Sequence, residues 1–336
     1  MPVFNARQYV RQAVESILEQ TFVDFDFLIL DDGSTDDSRE IISGIDDKRI
    51  RLIKNEQNLG IARTLNKGLS LARGEFVARM DADDIADSER LSKQYDFLIK
   101  NPRIGVCGSW VWNFNDQKKF LLRYPVGQDC VRSFFLFANP CSHPSVMMRS
   151  EMIRQYGLQY NPAYKAAQDY DLWRRCTDFF EIDNIPEPLV SWRRNEQGMT
   201  WGNSKISNEK TMEILREMLG EIGCHPSEQQ LCFHREIGNG SGMRSHQELI
   251  DVTKWLSYLL ALNKKQGHYS HEGLLKAVGF VWFRVCLNSS GMGLAVLRRY
   301  YTSSFRKWYR PGKDELMYFL INSIFKMNKA PTGRLN

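Results

Sequence analysis

Mainly apolar runs alternate with amphipathic stretches through the first hundred residues of the chain. Residues 25–30, 50–53 and 75–80 are runs of strand length, whereas residues 8–20 and 61–72 carry apolar side chains at every third or fourth position. The first pattern predicts buried strands and the second predicts amphipathic helices. Further helices are predicted through residues 41–42 and after residue 88. This alternation predicts an α/β fold with a mostly parallel sheet and helices on both faces.

The pattern changes after residue 102. Residues 104–112 and 120–124 predict a pair of strands, a helix begins near residue 168, and residues 186–192 predict an extended segment. From about residue 207 onward only helical periodicity remains. We therefore predict an α/β domain over residues 1–205, a linker or helical connection over 206–245, and a basic, aromatic-rich helical region over 246–336.

Two acidic turns follow predicted strands. Residues 31–36 come after the first apolar run, and Asp81-Ala82-Asp83-Asp84 comes after residues 75–80. Ligands of parallel sheets bind at the carboxyl ends of the strands. Carboxylates this close repel one another unless a cation lies among them, and hard oxygen ligands suit a divalent metal that also holds a phosphate. An ordinary solvated acidic turn remains the alternative at this point.

Composition and charge narrow the class of protein. The 336 residues are 43% hydrophobic and 25% charged, which is typical of a globular protein. The seven cysteines are scattered and have no CxxC spacing, so neither a disulfide framework nor a zinc site is expected. No signal peptide and no apolar run of about 18 residues is evident. Residues 254–336 contain 14 Lys and Arg but only 3 Asp and Glu, which predicts contact with anions.

Seven short motifs occur in a fixed order along roughly residues 1–200. They are Pro2-Val3-Phe4-Asn5, Asp31-Asp32-Gly33-Ser34-Thr35-Asp36, Asn58-Leu59-Gly60, Asn66-Lys67-Gly68, Asp81-Ala82-Asp83-Asp84, His143-Pro144-Ser145 and Gln168-Asp169-Tyr170-Asp171-Leu172-Trp173. This ordered set resembles the family 2 glycosyltransferases. The resemblance implies an inverting enzyme with the GT-A (nucleotide-diphospho-sugar transferase) fold, similar to bacterial enzymes of O-antigen, capsule and exopolysaccharide synthesis. Such an enzyme transfers a sugar from a UDP-sugar to a hydroxyl of a saccharide or lipid-linked saccharide acceptor.

The resemblance assigns donor-binding residues near the start of the chain. Phe4 stands where the family usually has Tyr, and its ring would stack on the uracil. Asp32 would accept the uracil N3–H, which suits a carboxylate because it only accepts hydrogen bonds. Pro2 lies in the same motif as Phe4, and Arg63 is assigned to the phosphates or ribose.

The resemblance also assigns the metal site and the catalytic base. Asp83 would bind Mn²⁺ or Mg²⁺ directly, and Asp81 would contact the ribose or share the metal. Asp169 would act as the general base toward the acceptor hydroxyl. His143, Trp173 and Arg193 are predicted on the acceptor side.

Two features of the ends of the chain add expectations. Only Met1 precedes the Pro2 motif, whereas the family usually has four to eight strand residues there, so we expect a truncated first strand and reduced stability. At the other end, aromatic and basic residues interleave from residue 254 onward, which favours an anionic membrane surface. This predicts a cytoplasmic enzyme at the inner face of the plasma membrane. An ordinary packed helical domain is the alternative, and no nucleic-acid module is recognised.

Two other functions remain open on the sequence. A metal-dependent sugar nucleotidyltransferase also uses carboxylates at the edge of a parallel sheet, but it should carry a glycine-rich basic loop where this chain has Pro2-Val3-Phe4-Asn5. An inactive, transferase-like adaptor should lack Asp83 or Asp169, and both are present.

Overall fold

The fold is described from a computed structural model that covers residues 1–115, 117–194 and 204–327. The chain forms two compact units. The first unit comprises residues 1–124 and 141–210, and the second comprises residues 125–140 and 211–336. Residues 125–140, which sequence analysis assigned to the first domain, therefore belong to the second unit.

The helices, numbered along the chain, fall largely where periodicity predicts them. They are α1 (Val10–Leu18), α2 (Ser38–Ser43), α3 (Ile61–Leu71), α4 (Arg90–Lys100), α5 (Gln128–Phe134), α6 (Ser150–Gln155), α7 (Gln168–Cys176), α8 (Ser204–Glu221), α9 (Glu228–Gly238), α10 (His246–Gln266), α11 (His271–Asn288), α12 (Leu294–Thr302) and α13 (Lys313–Phe325). Short 3₁₀ helices cover His143–Ser145, Ser290–Met292 and Ser304–Trp308.

The strands of the first unit form two sheets. They are β1 (Pro2–Val3), β2 (Phe27–Asp31), β3 (Ile50–Lys54), β4 (Phe76–Ala78), β5 (Ile85–Ala86), β6 (Ile104–Phe114), β7 (Lys119–Leu122), β8 (Met147–Arg149) and β9 (Glu181–Arg193). The first sheet has the order β1-β2-β3 and is entirely parallel. The second has the order β4-β8-β6-β9-β5, with β7 paired to β6.

The second sheet is mixed, and this changes the surroundings of the acidic cluster. The strand predicted at residues 75–80 is β4, but it pairs antiparallel with β8 rather than joining the parallel strands. The predicted pair at 104–112 and 120–124 is confirmed as β6 and β7, which are antiparallel. A local apolar pattern reports that a strand is buried, but it carries no information about the direction of its neighbour.

Apolar side chains close the first unit around each sheet. Ile29 of β2 packs in one cluster with Val10 and Val14 of α1. Leu98 of α4 and Cys107 of β6 belong to another cluster beside the second sheet. The two polar loops that follow β2 and β4 emerge from these packed strands, so rigid elements set their starting points.

The second unit is built around α11, most of whose residues are buried. Its Gly273 lies so close to α5 that a Cβ atom there would come within 2.5 Å of the Asp129 carbonyl oxygen. A linker or helical connection is predicted over residues 206–245. In the structure this segment contributes α9 and most of α8 to the second unit. Buried side chains such as Leu215 and Leu231 explain why these helices pack rather than link.

The aromatic residues predicted to meet lipid are mostly core residues. Trp282 and Phe283 have no exposed surface, and Phe280, Tyr300 and Phe305 are also buried. Phe283 meets Tyr300, Phe319 and Tyr309 at ring-centroid distances of 5.4–5.9 Å. The prediction was wrong for these side chains because they lie on the inward faces of packed helices.

A search of the described helices for a membrane-spanning segment found none that is both long enough and apolar enough.

Candidate active site

The acidic loop after β4 begins with a buried cation. Arg79 is only 5% exposed, and its guanidinium forms an ion pair with the Asp81 carboxylate. Behind it, the fully buried Arg90 donates to the Arg79 carbonyl oxygen at 2.6 Å and to the Val146 carbonyl oxygen at 3.3 Å. Burial, and next the charge of Arg79, lower the pKa of Arg90 to about 10. Two arginines thus fix the main chain that leads into the carboxylates.

Asp83 and Asp84 are carboxyls for which burial disfavours the charged form. Burial, and next the charge of Asp81, raise the pKa of Asp83 to about 6. Burial and the same neighbour raise the pKa of Asp84 well above its ordinary value. Arg79 and Arg193 oppose the shift at Asp83. The loop therefore concentrates negative charge that a cation would stabilise.

Arg193, at the end of β9, holds this loop from the opposite side. Its main-chain N–H donates to Asp84 Oδ1 at 2.8 Å, and its Nε donates to the Asp83 carbonyl oxygen at 3.0 Å. The guanidinium also lies over the rings of Tyr9 and Phe114, with its central carbon 4.5 and 4.6 Å from their centroids. Sequence analysis predicted Arg193 on the acceptor side, but the described contacts tie it to the acidic loop.

The donor set of this loop fits a hard divalent cation in part. Among residues 1–115, 117–194 and 204–327, no three or more His, Cys, Asp and Glu side chains are grouped to hold a metal. Asp81 is already paired with Arg79, and Asp84 with the Arg193 N–H, so Asp83 is the carboxylate most in need of a counterion. One or two carboxylates that act together with substrate phosphates are a usual arrangement for Mg²⁺.

The predicted uracil-binding residue Asp32 lies in a buried polar network. Its Oδ1 accepts from Asn55 Nδ2 at 2.7 Å and from the Leu59 N–H at 2.9 Å, and its Oδ2 accepts from the Gly60 N–H at 3.1 Å. Lys67 in turn donates to Asn55 at 2.6 Å. This network explains why the Asn58-Leu59-Gly60 and Asn66-Lys67-Gly68 motifs accompany the first acidic turn: they support its loop.

The neighbouring Asp31 has a different environment. It is 1% exposed, and its Oδ1 accepts from the Ser34 N–H at 2.9 Å. Its Oδ2 has no hydrogen-bond partner within the described part of the chain. Asp31 pairs in register with Val3 of β1, the residue before Phe4. Phe4 itself is 49% exposed, so its ring is available for stacking.

The other two predicted donor residues differ in exposure. Pro2 is buried in β1, where it pairs with Leu30, so it supports the position of Phe4 from within the sheet. Arg63 is exposed on α3. Asn66, on the same helix, is bound to the main chain of a distant residue: its side-chain amide donates to the Tyr160 carbonyl oxygen and accepts from the Tyr160 N–H, both at 2.8 Å.

Tyr160 connects the first-unit motifs to His143. The Tyr160 hydroxyl lies 2.9 Å from His143 Nε2. Burial, and next the charge of Arg79, lower the pKa of His143 well below its ordinary value, so the imidazole is neutral at pH 7. Sequence analysis did not select Tyr160, because it lies outside every motif. The Asn66 motif was the available signal, but its partner is 94 residues away.

The candidate base Asp169 lies in the first turn of α7, as predicted, and is half-buried. Burial raises the pKa of the Tyr160 hydroxyl, Arg79 opposes this, and the charges of Asp169 and Asp81 add to it. Trp173, in contrast, has no exposed surface, and its ring packs edge-on against Tyr160 at 6.1 Å. Trp173 therefore packs against the side chain that meets His143, and its assignment to the acceptor side stays a prediction.

Comparisons with known proteins show that the chain is similar to glycosyltransferases. The model of a family described as Glycosyl transferase family 2 matches residues 1–157. An uncharacterized glycosyltransferase of Haemophilus influenzae is 31% identical over 226 residues, which are 64% of this chain and 70% of that protein. The amylovoran biosynthesis glycosyltransferase AmsE of Erwinia amylovora is 29% identical over 188 residues, or 55% of this chain and 70% of that protein.

Among solved structures, S. aureus TarS 1-349 in complex with UDP-GlcNAc is similar to this chain with a TM-score of 0.54. The match covers 96% of this chain and 89% of that chain, at 17% sequence identity. At this identity the likeness concerns the fold. It confirms the predicted α/β fold with a helical C-terminal region.

Proposed function

The chain belongs to glycosyl transferase family 2 and is a glycosyltransferase, and from this premise we propose that it moves a hexose or N-acetylhexosamine from a UDP-sugar to a saccharide hydroxyl. One observation carries the proposal. In the acidic loop, Arg79 pairs with Asp81 and the Arg193 N–H donates to Asp84, so Asp83 is the carboxylate most in need of a counterion. Such a carboxylate after a sheet strand, together with a candidate base in the first turn of α7, suits a metal-assisted inverting transfer.

The uracil of the UDP-sugar binds beside the first sheet in this proposal. The half-exposed ring of Phe4 stacks on the uracil, which is worth about 1–3 kcal/mol. A buried carboxylate beside it accepts the uracil N3–H. Sequence resemblance assigns that role to Asp32, whose oxygens already accept from Leu59 and Gly60. Asp31, with Oδ2 unpaired within the described residues, offers a second acceptor in the same turn.

The donor diphosphate lies at the acidic loop. Asp83, assisted by Asp81, would hold Mn²⁺ or Mg²⁺, which when bound would stabilise the charge on the departing UDP as a Lewis acid. The raised pKa of Asp83 supports this assignment, because burial and the charge of Asp81 disfavour its ionised form and a bound cation would offset both effects. Arg79 and Arg193 hold the loop in place without such a cation.

Asp169 acts on the acceptor. Its carboxylate takes the proton of the attacking hydroxyl while the acceptor oxygen forms a bond to C1 of the sugar. The bond from C1 to the UDP oxygen breaks on the opposite face, and UDP leaves with that electron pair. Attack from the face opposite the leaving group inverts the configuration at C1. His143, kept neutral by burial, holds the Tyr160 hydroxyl through a hydrogen bond.

The acceptor is proposed to be a saccharide that is carried on a lipid, within bacterial surface polysaccharide synthesis. A relative named for amylovoran biosynthesis and the cationic residues after residue 254 support this assignment. The enzyme would then work in the cytoplasm as a peripheral protein at the inner face of the plasma membrane.

A donor screen tests the proposal. The unfolding midpoint is measured with a panel of UDP-hexoses and UDP-N-acetylhexosamines, each with Mn²⁺, with Mg²⁺ or with a chelator, and UDP release is followed in parallel. We expect one UDP-sugar to raise the midpoint only with a divalent cation. If every UDP-sugar left the midpoint unchanged and no UDP were released under any condition, the proposed donor would be wrong.

A further inference from the structure

Helix α13 in the second unit is packed with its polar side inward. Its buried residues are Phe319, Asn322 and Ser323. Asn322 Nδ2 and Ser323 Oγ have no hydrogen-bond partner among the residues that the structure describes. Phe319 supplies a large apolar contact, with its ring centroid 5.9 Å from that of Phe283 and 5.5 Å from that of Tyr300. An ordinary surface helix has the opposite arrangement.

The outward side of the same helix is apolar. Met317 is 60% exposed, Ile321 is 44%, Ile324 is 56% and Phe325 is 69%. Their spacing of four, three and one residues puts them on one side of a helix. The aliphatic part of Lys326 lies against Gly293, the residue before the 63% exposed Leu294, so Leu294 extends the surface. We call these five exposed residues the outer apolar patch.

Cations surround the outer apolar patch. Segment 294–327 contains seven Lys and Arg against two acids, Asp314 and Glu315. Glu315 is engaged locally, since it accepts from the Gly312 N–H at 2.9 Å. The cations that are exposed are Arg298, Arg306, Lys307, Arg310, Lys313 and Lys326. A second copy of the chain on this patch would bring like charges together, whereas an anionic bilayer complements them.

We propose that the outer apolar patch inserts into the headgroup region of an anionic lipid bilayer, with α13 lying in the plane of the membrane. This inference rests on the proposed function, in which the acceptor is carried on a membrane lipid. It assigns the membrane contact to exposed side chains, not to the aromatic residues that are buried in the second unit. The apolar side chains enter the acyl boundary and the surrounding cations bind lipid phosphates, as in interfacial amphipathic helices. Asn322 and Ser323 occupy the buried side of α13, and the apolar residues of the patch therefore stay outside the protein core.

Flotation with vesicles tests the patch. Full-length protein is mixed with vesicles of phosphatidylcholine that contain or lack phosphatidylglycerol, at low and high salt. The Ile321→Ser/Ile324→Ser variant removes two patch side chains, and the Val23→Ser/Val126→Ser variant removes two exposed aliphatic side chains elsewhere (69% and 41% exposed). We expect wild type and control to float with the anionic vesicles, and the patch variant to bind at least about tenfold more weakly.

The charge component has its own variant. Arg298→Glu/Lys326→Glu should lose the preference for anionic over neutral vesicles, and high salt should have the same effect on wild type. The inference fails if wild type does not float, or if the patch variant floats as well as wild type. It also fails if light scattering finds an oligomer that only the patch variant disrupts, since a second copy would then cover the patch.

UDP release from the donor, measured without vesicles, separates this inference from the proposed function. The patch variant should release UDP at the wild-type rate. If wild type bound vesicles through the patch but released no UDP from any donor, the proposed function would fail and the patch assignment would stand. If UDP release were normal and vesicle binding absent, the patch assignment would fail and the proposed donor would stand.

Discussion

The main-chain N–H of Arg193 donates to the carboxylate of Asp84 across 2.8 Å, although the two residues lie 109 positions apart. The same arginine reaches the Asp83 carbonyl oxygen with its Nε. The end of β9 therefore fixes the loop that carries Asp81 and Asp83. Asp84, which had no assigned role on the sequence, becomes the residue that anchors the acidic loop.

Replacing Asp84 tests this anchor. Asp84→Ala leaves the half-buried Arg193 N–H without its acceptor, which should lower the free energy of unfolding by about 1 kcal/mol. Asp84→Asn keeps an oxygen acceptor and should cost much less. Denaturant unfolding of both variants measures the difference, and equal losses for Ala and Asn would contradict the anchoring role.

Removing Asp83 should abolish the effect of divalent cations. In Asp83→Asn the carboxylate that we assign to the metal is gone, so we expect UDP release to fall on the order of 100-fold or more. Midpoint shifts with Mn²⁺ plus UDP-sugar should also disappear. Asp96→Asn changes an exposed acid on α4 and serves as the control. Normal metal-dependent turnover in Asp83→Asn would remove the metal assignment.

Asp169 should affect transfer and not donor binding. Loss of a general base lowers the transfer rate by about 10²–10⁴-fold. We expect Asp169→Asn to show that loss while its UDP-sugar titration matches wild type. Asp178→Asn, an exposed acid just after α7, is the matched control. If donor affinity fell in parallel with transfer, Asp169 would be part of the donor site and not the base.

The ring of Phe4 should contribute directly to donor affinity. Phe4→Ala should weaken UDP-sugar binding by about 1–3 kcal/mol, whereas Phe4→Tyr retains the stacking face and should bind like wild type. Phe179 is exposed to the same 49% and gives a control, Phe179→Ala. Calorimetric titration with UDP distinguishes these variants, and an unchanged dissociation constant in Phe4→Ala would place the uracil elsewhere.

His234 makes the second unit sensitive to acid. Its Nε2–H donates to the Leu136 carbonyl oxygen at 2.6 Å, and its Nδ1 accepts from Trp255 Nε1–H at 3.0 Å, which fixes the neutral tautomer. Burial lowers the pKa of His234 from 6.5 to about 4. Between pH 6.5 and pH 4, His234 is therefore protonated in the unfolded chain but neutral in the folded chain. Its contribution to the free energy of unfolding is fully present above pH 6.5 and is lost as the pH drops toward 4.

The free energy of unfolding that is lost through protonation of His234 should reach about 3 kcal/mol at pH 4. Unfolding measured from pH 7 to pH 4 should show a shallower decline in His234→Gln than in wild type. His225→Gln removes an exposed histidine and should leave the slope unchanged. Identical slopes in wild type and His234→Gln would exclude this group as the source.

The sequence predicted the helices and strands far better than it predicted which other elements each of them packs against. The periodicities of residues 8–20, 25–30 and 61–72 predicted α1, β2 and α3, because one apolar side per element is a local property. The same kind of signal could not reveal that β4 runs antiparallel to β8 or that Trp282 faces a core. Those outcomes depend on which surface each element meets, and that surface comes from distant parts of the chain.

The candidate site divides along the same line. By itself the sequence determined the family, the acidic loop at residues 81–84 and the position of Asp169 in the first turn of a helix, because short motifs and local spacing encode them. Only the tertiary structure decided that Arg193 supports the loop, that Tyr160 joins Asn66 to His143, and that α13 turns its apolar side outward. Burial and charge at a point in space are sums over neighbours from many segments, so no single stretch of sequence contains them.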